Sequence, residues 1–261
     1  MKKLVIIIFF DLICLIVIQA QTTIKTSDVN SWTITGGVHV FTKQIVRPNY
    51  EPIRGLSIYS KPTTDYSLEV TRLFNLKGKL SSSLGLRLGN IPYNQGLNIA
   101  ENITRDGLAY DTNYKNRLPY IALKGLINIS IWGKKRLTIM QQLGSAFVLV
   151  PHAFANYDIA SLSSGSIVPY YISKGVYNPN RLPFFSALSE TSLIYTKGGE
   201  KKWLLSVSFE VAPKTVIESN YIFYSKTEEL KGTITRRYQQ LGVHFGWFWT
   251  TKKKRNKSAI E

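Results

Sequence analysis

IALKGLINISIWGKKRLTIMQQLGSAFVL, residues Ile121 to Leu149, reads as two long strands joined by a tight basic turn. In its first half Ile121, Leu123, Ile127, Ile129 and Ile131 share one parity, with Ala122, Lys124, Asn128 and Ser130 between them. That is the period of a strand, whose successive side chains point to opposite faces, and not the 3.6-residue period of a helix. After Trp132-Gly133-Lys134-Lys135 the alternation resumes. Leu137, Ile139, Leu143, Phe147 and Leu149 lie on one face, and Arg136, Thr138, Gln142, Gly144 and Ala146 on the other.

Six more segments repeat the pattern on either side of this hairpin. Trp32 to Phe41, Tyr66 to Phe74 and Leu80 to Leu88 precede it; Phe185 to Tyr195, Trp203 to Val211 and Leu241 to Trp249 follow. Eight segments of about ten residues match a small membrane barrel with tilted strands. The connections alternate too. They are short after the second, fourth and sixth strands, and long after the first (Thr42 to Asp65), third (Asn90 to Leu118), fifth (Val150 to Pro183) and seventh (Ala212 to Tyr238). Short turns on one rim and long loops on the other is the outer-membrane layout, with the long loops outside. The strand-like GLSIYS and ESNYIFYSK are expected to carry strands past the membrane into those loops.

A soluble β-sandwich also alternates, but its outer face should carry Lys, Glu and Thr to meet water. Here the polar faces hold Ser, Gly and Ala with isolated charges, which suits a narrow lumen packed with side chains. Glu69, Arg87, Lys124, Arg136, Glu190 and Glu210 fall on that parity and are expected to form an internal ion-pair network, because an unpaired buried charge is costly. Trp32, Phe74, Trp132, Tyr195, Trp203, Trp247 and Trp249 gather at the short-turn ends, where a membrane-interface girdle belongs. Gln141, Ser145 and Arg72 fall on the lipid-facing parity against the scheme. A bulge is expected to re-aim Gln141, and Arg72 lies close enough to a turn to reach the interface.

The N-terminus is read separately. Lys2 and Lys3 precede an apolar run from Leu4 to Ile18 and then Gln19-Ala20, the layout of a secretory signal cleaved after Ala20. An uncleaved anchor needs about 20 apolar residues, and this run is shorter and interrupted by Asp11. The single cysteine, Cys14, lies within it, so disulfides and Cys-based zinc sites are excluded after processing. The expected organisation is a signal peptide at 1–20, a periplasmic segment at 21–31, a barrel at 32–249 and a basic periplasmic tail at 250–261.

The formal charge of +17 is concentrated on one rim. Lys77, Lys79, Lys134, Lys135, Arg136, Lys197, Lys201, Lys202, Lys252, Lys253, Lys254, Arg255 and Lys257 occupy the short turns and tail, against Glu200 and Glu261. Such a rim suits anionic phospholipid headgroups or cell-wall polymer, or serves only to keep the tail solvated. Nucleic acid is excluded as a partner, because an exported barrel does not meet it. Outer-membrane lipids and an extracellular or envelope protein are the partners expected.

Catalytic chemistry has little support. His39 and His244 share lumen parity in strands that a closed barrel makes neighbours, and they read as a packed pair; His152 lies in a loop. There is no nucleophile motif and no metal-ligand spacing, so neither cofactor nor metal is expected. The reading is an eight-stranded antiparallel transmembrane β-barrel, an up-and-down meander with a plugged lumen and a structural or partner-binding role without turnover. A lipid-modifying barrel enzyme and a secreted soluble β-sandwich binding module are the alternatives.

LSSSLGLRLGNIPYNQG resembles the strand-to-loop step of small PorT-type and OmpX-like outer-membrane β-barrel proteins of Bacteroidota. RLPYIALKGLINIS with GKKRLTIMQQLGSAFVL resembles their central hairpin, and YQQLGVHFGWFW their closing strand. The resemblance covers most of the chain after Ala20 and implies a fold and a cell-envelope location. The basic tail after Trp249 departs from it, since many such barrels end on an aromatic residue.

Overall fold

Among the described residues, alternation of apolar and polar side chains carries through into twelve strands: β1 (Val29–Phe41), β2 (Ile45–Pro48), β3 (Leu56–Tyr59), β4 (Thr63–Asn75), β5 (Leu80–Ile99), β6 (Tyr110–Lys134), β7 (Leu137–Leu149), β8 (Asn156–Leu162), β9 (Tyr171–Tyr177), β10 (Phe184–Lys197), β11 (Glu200–Tyr224) and β12 (Glu229–Lys252). The computed structural model describes residues 29–75, 79–104, 107–134, 136–150, 156–162, 171–177 and 183–252. The expected signal peptide, Lys77, Lys135, His152, Lys253, Lys254, Arg255 and Lys257 lie outside those residues.

Eight of the strands close a ring. The antiparallel order β1-β4-β5-β6-β7-β10-β11-β12 returns to β1 through the pairing of Val29 to Phe41 with Lys252 to Gln240. A closed ring is a barrel and not a two-sheet sandwich. Turn chemistry fits the closure: Gly198 and Gly199, both at positive φ (62° and 78°), form the two-residue turn between β10 and β11, a conformation that ordinary side chains resist. β1 starts at Val29 and β12 runs to Lys252, so the wall extends slightly beyond residues 32 and 249 at both ends.

The expected long loops are largely strand. β5 and β6 continue as partners through Ile99↔Tyr110, and β11 and β12 through Tyr224↔Glu229. Their extensions recruit the short strands: β2 pairs with β12, β3 with β5, and β9 with β11, while β8 pairs with β9. GLSIYS and ESNYIFYSK thus supply β3 and the upper part of β11. The result is two storeys, a closed ring at the short-turn end and an upper storey of prolonged strands.

In the lower storey the outward face is a belt of apolar side chains, including Ile34, Val38, Leu68, Leu86, Leu123, Leu143, Leu205, Val207 and Val243, all well exposed. That is the exterior of a strand wall suited to hydrocarbon. The inward face carries Thr33, Thr35, Ser67, Thr71, Ser83, Asn128, Gln142, Ser192, Ser206 and Ser208, all buried. Two apolar layers bracket these polar residues. Leu73, Met140, Ile194, Leu204 and Phe248 pack at the short-turn end, and Phe41, Tyr120, Ala122, Val148, Phe184 and Tyr238 pack above.

In the upper storey the polarity is reversed. Leu97, Ile99, Tyr171, Tyr221, Phe223, Leu230 and Ile234 pack inside, while Asp111, Lys115, Arg117, Glu218, Glu229, Lys231 and Arg237 are exposed outside. In β5, β6 and β12 the residue chemistry changes along a continuous strand. β11 makes the change geometrically. Register shifts between Val211 and Thr215 and between Thr215 and Ile217 turn the odd-numbered apolar series inward, because an inserted residue exchanges the two faces of a strand.

Candidate functional site

The most concentrated chemistry lies inside the lower storey. Glu69 on β4, Arg87 on β5, Lys124 on β6, Glu190 on β10 and Glu210 on β11 all point inward and are buried. Lys124 Nζ lies 2.8 Å from both carboxylate oxygens of Glu69 and 3.3 Å from Glu190 Oε2. Arg87 Nε donates to Glu69 Oε2 at 3.3 Å, and its Nη1 donates to Glu210 Oε2 at 2.6 Å. Neutral donors complete the shell: Thr71 Oγ1 reaches Glu69 Oε1 at 2.7 Å, Gln240 Nε2 reaches Glu210 Oε2 at 2.7 Å, and Ser186 Oγ donates to Glu210 Oε1.

Arg136 does not join this network. It stands exposed at the β6–β7 turn, just before β7 begins, and its carbonyl accepts from Thr196 N at 2.8 Å. Parity counted from Leu137 would send it inward, but it lies below the lumen's floor, where both faces of a strand meet solvent. The buried cluster therefore sets three carboxyl groups against two cations. Hydroxyl and amide donors carry part of the load that a third cation was expected to bear.

Beneath the cluster, Thr33, Thr35, Glu69, Lys124, Gln142 and Glu190 border a cavity of about 30 Å³, floored by Leu73, Met140, Leu204 and Phe248. That is the room of about one water molecule. His39 and His244 face each other with ring centroids 4.8 Å apart at 77°. Each ring binds a serine, His39 Nε2 with Ser67 Oγ at 2.6 Å and His244 Nε2 with Ser208 Oγ at 2.7 Å. Gly242 makes room for them, since a Cβ there would lie 2.7 Å from both His244 Nε2 and Ser208 Oγ. Both imidazoles are buried. The pair packs the lumen, and His244 also borders the small cavity.

Trp132, inward by the parity of β6, is turned outward beside the register shift between Ser130 and Trp132, while the other aromatic residues lie where strand parity and the short turns put them. Trp32 pairs with Trp249 across β1 and β12, and Trp203 with Trp247 across β11 and β12. Tyr195 stacks on Trp203 with centroids 5.3 Å apart. Arg72 lies between Trp32 and Phe74, its guanidinium 5.4 Å and 5.0 Å from their ring centroids, which offsets its charge on the outward face. Gln141 is not re-aimed. The nearby register shift falls between Ser130 and Trp132, and Gln141 stays outward, bonded to Ser189 Oγ at 3.0 Å and Thr191 Oγ1 at 2.7 Å.

On the short-turn rim, Lys134 lies 5.9 Å from the centroid of Trp132 and Lys202 binds Glu200 at 2.8 Å. Lys201 bends over Phe248 at 5.8 Å, half-buried in the mouth, and burial lowers its pKa.

Sequence reasoning missed a second charged residue group, in the upper storey. Arg236 on β12 points inward, fully buried; its Nη1 donates to Thr63 Oγ1 at 3.1 Å and to the Pro92 carbonyl. Burial draws its pKa down to about 10, which still leaves it charged at neutral pH. Tyr221 Oη donates to Tyr50 Oη at 3.2 Å, and burial raises the pKa of both phenols. The signal for Arg236 was a charge at a buried-parity position in the alternation Leu230, Ile234, Tyr238.

No family model matches the chain, and no curated protein matches it. Among solved structures, the outer membrane protein OprG from Pseudomonas aeruginosa matches 84% of this chain and 95% of its own at 12% identity and a TM-score of 0.46. The outer membrane protein AlkL matches 92% of this chain and 97% of its own, with 12% identity and a TM-score of 0.38. Ail, the attachment invasion locus protein of Yersinia pestis, matches 86% of this chain and 100% of its own, with 7% identity and a TM-score of 0.35. At these scores the likeness assigns no activity.

Proposed function

We propose that this chain is an integral outer-membrane barrel of the cell envelope, closed to solutes, whose upper storey faces outward and engages partners without chemical turnover. One observation carries the reading. The lower storey is apolar outside and charged inside, while the upper storey is the reverse. A polypeptide solvated by water along its whole length has no use for that inversion; one that rises from a bilayer into water requires it. Packing supports the closed reading, since apolar layers lie on both sides of the ion-paired residues and a cavity among them measures about 30 Å³.

The resemblance to PorT-type and OmpX-like barrels of Bacteroidota supports the same placement, with export by the N-terminal signal. The basic short-turn rim then faces the periplasm, where anionic phospholipid headgroups or cell-wall polymer are its partners.

Fractionation with heat-modifiable gel mobility tests the location. The expected result is an outer-membrane band that migrates faster unheated than boiled. Recovery of the chain in the soluble fraction without detergent overturns the reading. An epitope inserted after Lys226, in the exposed β11–β12 turn, should be labelled by antibody on intact cells. Labelling only after permeabilisation would reverse the orientation. The reconstituted barrel should show no steady ion conductance across a planar bilayer, and a stable conducting state would refute closure.

A further inference from the structure

Among the described residues, the wall is interrupted between β4 and β5. Their ladder ends at Ser67↔Gly89, and the next strand on that side, β3, meets β5 only at Tyr59↔Gly96. Residues 90 to 95 of β5 therefore have a ladder partner only in β6. The gap opens as a recess of about 560 Å³ lined by Thr63, Thr64, Asn94, Lys115, Asn116 and Arg117, with Pro92 at its back. The donors are mixed in kind: two cations, two hydroxyls and two amides converge on one space.

Its place on the barrel is specific. Along β6 the outward residues rise as Leu123, Ile121, Pro119, Arg117 and Lys115, so the two cations stand directly above exposed aliphatic side chains. Tyr66 and Leu68 on β4 and Leu88 on β5 continue the apolar belt beside them. This is the level at which lipid headgroups meet acyl chains. Arg117 Nε lies 3.2 Å from Asp65 Oδ2, an ion pair that holds the guanidinium at the recess. Behind the recess Arg236 binds Thr63 and the Pro92 carbonyl, and its Nε and Nη2 are buried with no hydrogen-bond partner among the described residues. A buried guanidinium with two such nitrogens, carrying three N–H groups, leaves positive potential in the recess wall.

We propose that this recess binds the phosphate of an anionic outer-leaflet glycolipid, with Lys115 and Arg117 as the charged contacts and the acyl chains lying along Ile121, Leu123, Leu88 and Leu68. The assignment rests on the barrel's outward orientation proposed above. A lipid is favoured over a free anion because the cations are continuous with the belt, so one ligand meets both. Arginine supplies paired N–H donors to a phosphate and lysine a mobile point charge.

The test uses the full barrel folded into phosphatidylcholine vesicles, with binding read by native mass spectrometry and by fluorescence titration. The probes are diphosphoryl lipid A, the same lipid without its phosphates, and inorganic phosphate. Lipid A is expected to bind at least about tenfold more tightly than its dephosphorylated form, and Lys115→Gln with Arg117→Gln to remove that preference. Lys231→Gln, an exposed cation of β12 paired with Glu229 and outside the recess, should leave it intact. Equal binding of the two lipids, an unaffected double variant, or displacement of lipid A by millimolar phosphate would each overturn the proposal. The comparison of lipids on the unaltered barrel holds even if the double variant misfolds. Failure to insert into vesicles at all would instead count against the membrane reading, and heat-modifiable mobility separates the two outcomes.

Discussion

β5, β6, β11 and β12 each pass through two environments, and the two halves of these strands solve opposite problems. Below, Leu205, Val207 and Phe209 face out while Ser206, Ser208 and Glu210 face in. Above, Tyr221 and Phe223 face in while Glu218 and Asn220 face out. Antiparallel ladders run through both halves, and on the membrane placement proposed above the difference lies in what surrounds the wall. Where hydrocarbon is outside, burial of apolar groups inside gains nothing, and specificity comes from ion pairs and hydrogen bonds. Where water is outside, the interior is held by the hydrophobic effect.

The contrast should break most sharply at Arg87. Arg87→Met removes the cation shared by Glu69 and Glu210 and leaves two buried carboxylates under-compensated, a loss expected at about 3 to 5 kcal/mol. Urea unfolding in vesicles, followed by gel mobility, measures it; a change under about 1 kcal/mol would mean that the neutral donors hold the carboxylates unaided. Phe223→Ala in the upper storey deletes an apolar side chain from a packed interior and should cost about 3 kcal/mol or more locally. Its signature differs, since proteolysis near Ser225 should rise while the lower ring keeps its heat-modifiable mobility. Simultaneous loss of both would show the storeys to be one cooperative unit.

On the outside, Val207→Lys should cost about 2 to 4 kcal/mol if hydrocarbon surrounds the lower wall. Thr235→Lys, on the upper wall, should change stability by no more than about 0.5 kcal/mol. Similar values for the two would erase the boundary between the storeys. Within the lumen cluster the smallest effect is expected at Glu190. It has one cation partner at 3.3 Å, where Glu69 engages both Lys124 and Arg87, and the cluster already holds more acids than bases. Glu190→Gln should therefore shift stability by less than about 1 kcal/mol. A loss as large as that of Arg87→Met would show that the third carboxylate is as tightly compensated as the other two.

The lower storey was legible because one period governs it. Apolar residues at every second position from Leu80 to Leu88, or from Trp203 to Val211, admit one solution once both faces are assigned. Apart from GLSIYS and ESNYIFYSK, the upper storey reads as loop in the sequence because the apolar series stops facing out. In IPYNQGLNI the alternation Ile91, Tyr93, Gln95, Leu97, Ile99 persists, but its apolar side is the one that had been polar five residues earlier. Asn90 and Pro119 mark the change and also look like loop residues. In β11 the change depends on a register shift, and a bulge has no reliable sequence signal when Ala212-Pro213 could equally begin a turn. Arg136 failed for the converse reason: parity was extended past the last layer of the lumen, where facing inward no longer means being enclosed. The cleft between β4 and β5 was beyond reach, since it depends on where β3 resumes pairing.

The irregular residues after Val211 also act as a depth gauge. Without them, Ile217, Tyr221 and Phe223 would lengthen the greasy side of β11 by roughly four rungs, about 20 Å along the strand. The wall would then offer hydrocarbon two candidate heights at which to settle. By turning those side chains toward the axis, a kink of a few residues leaves only one.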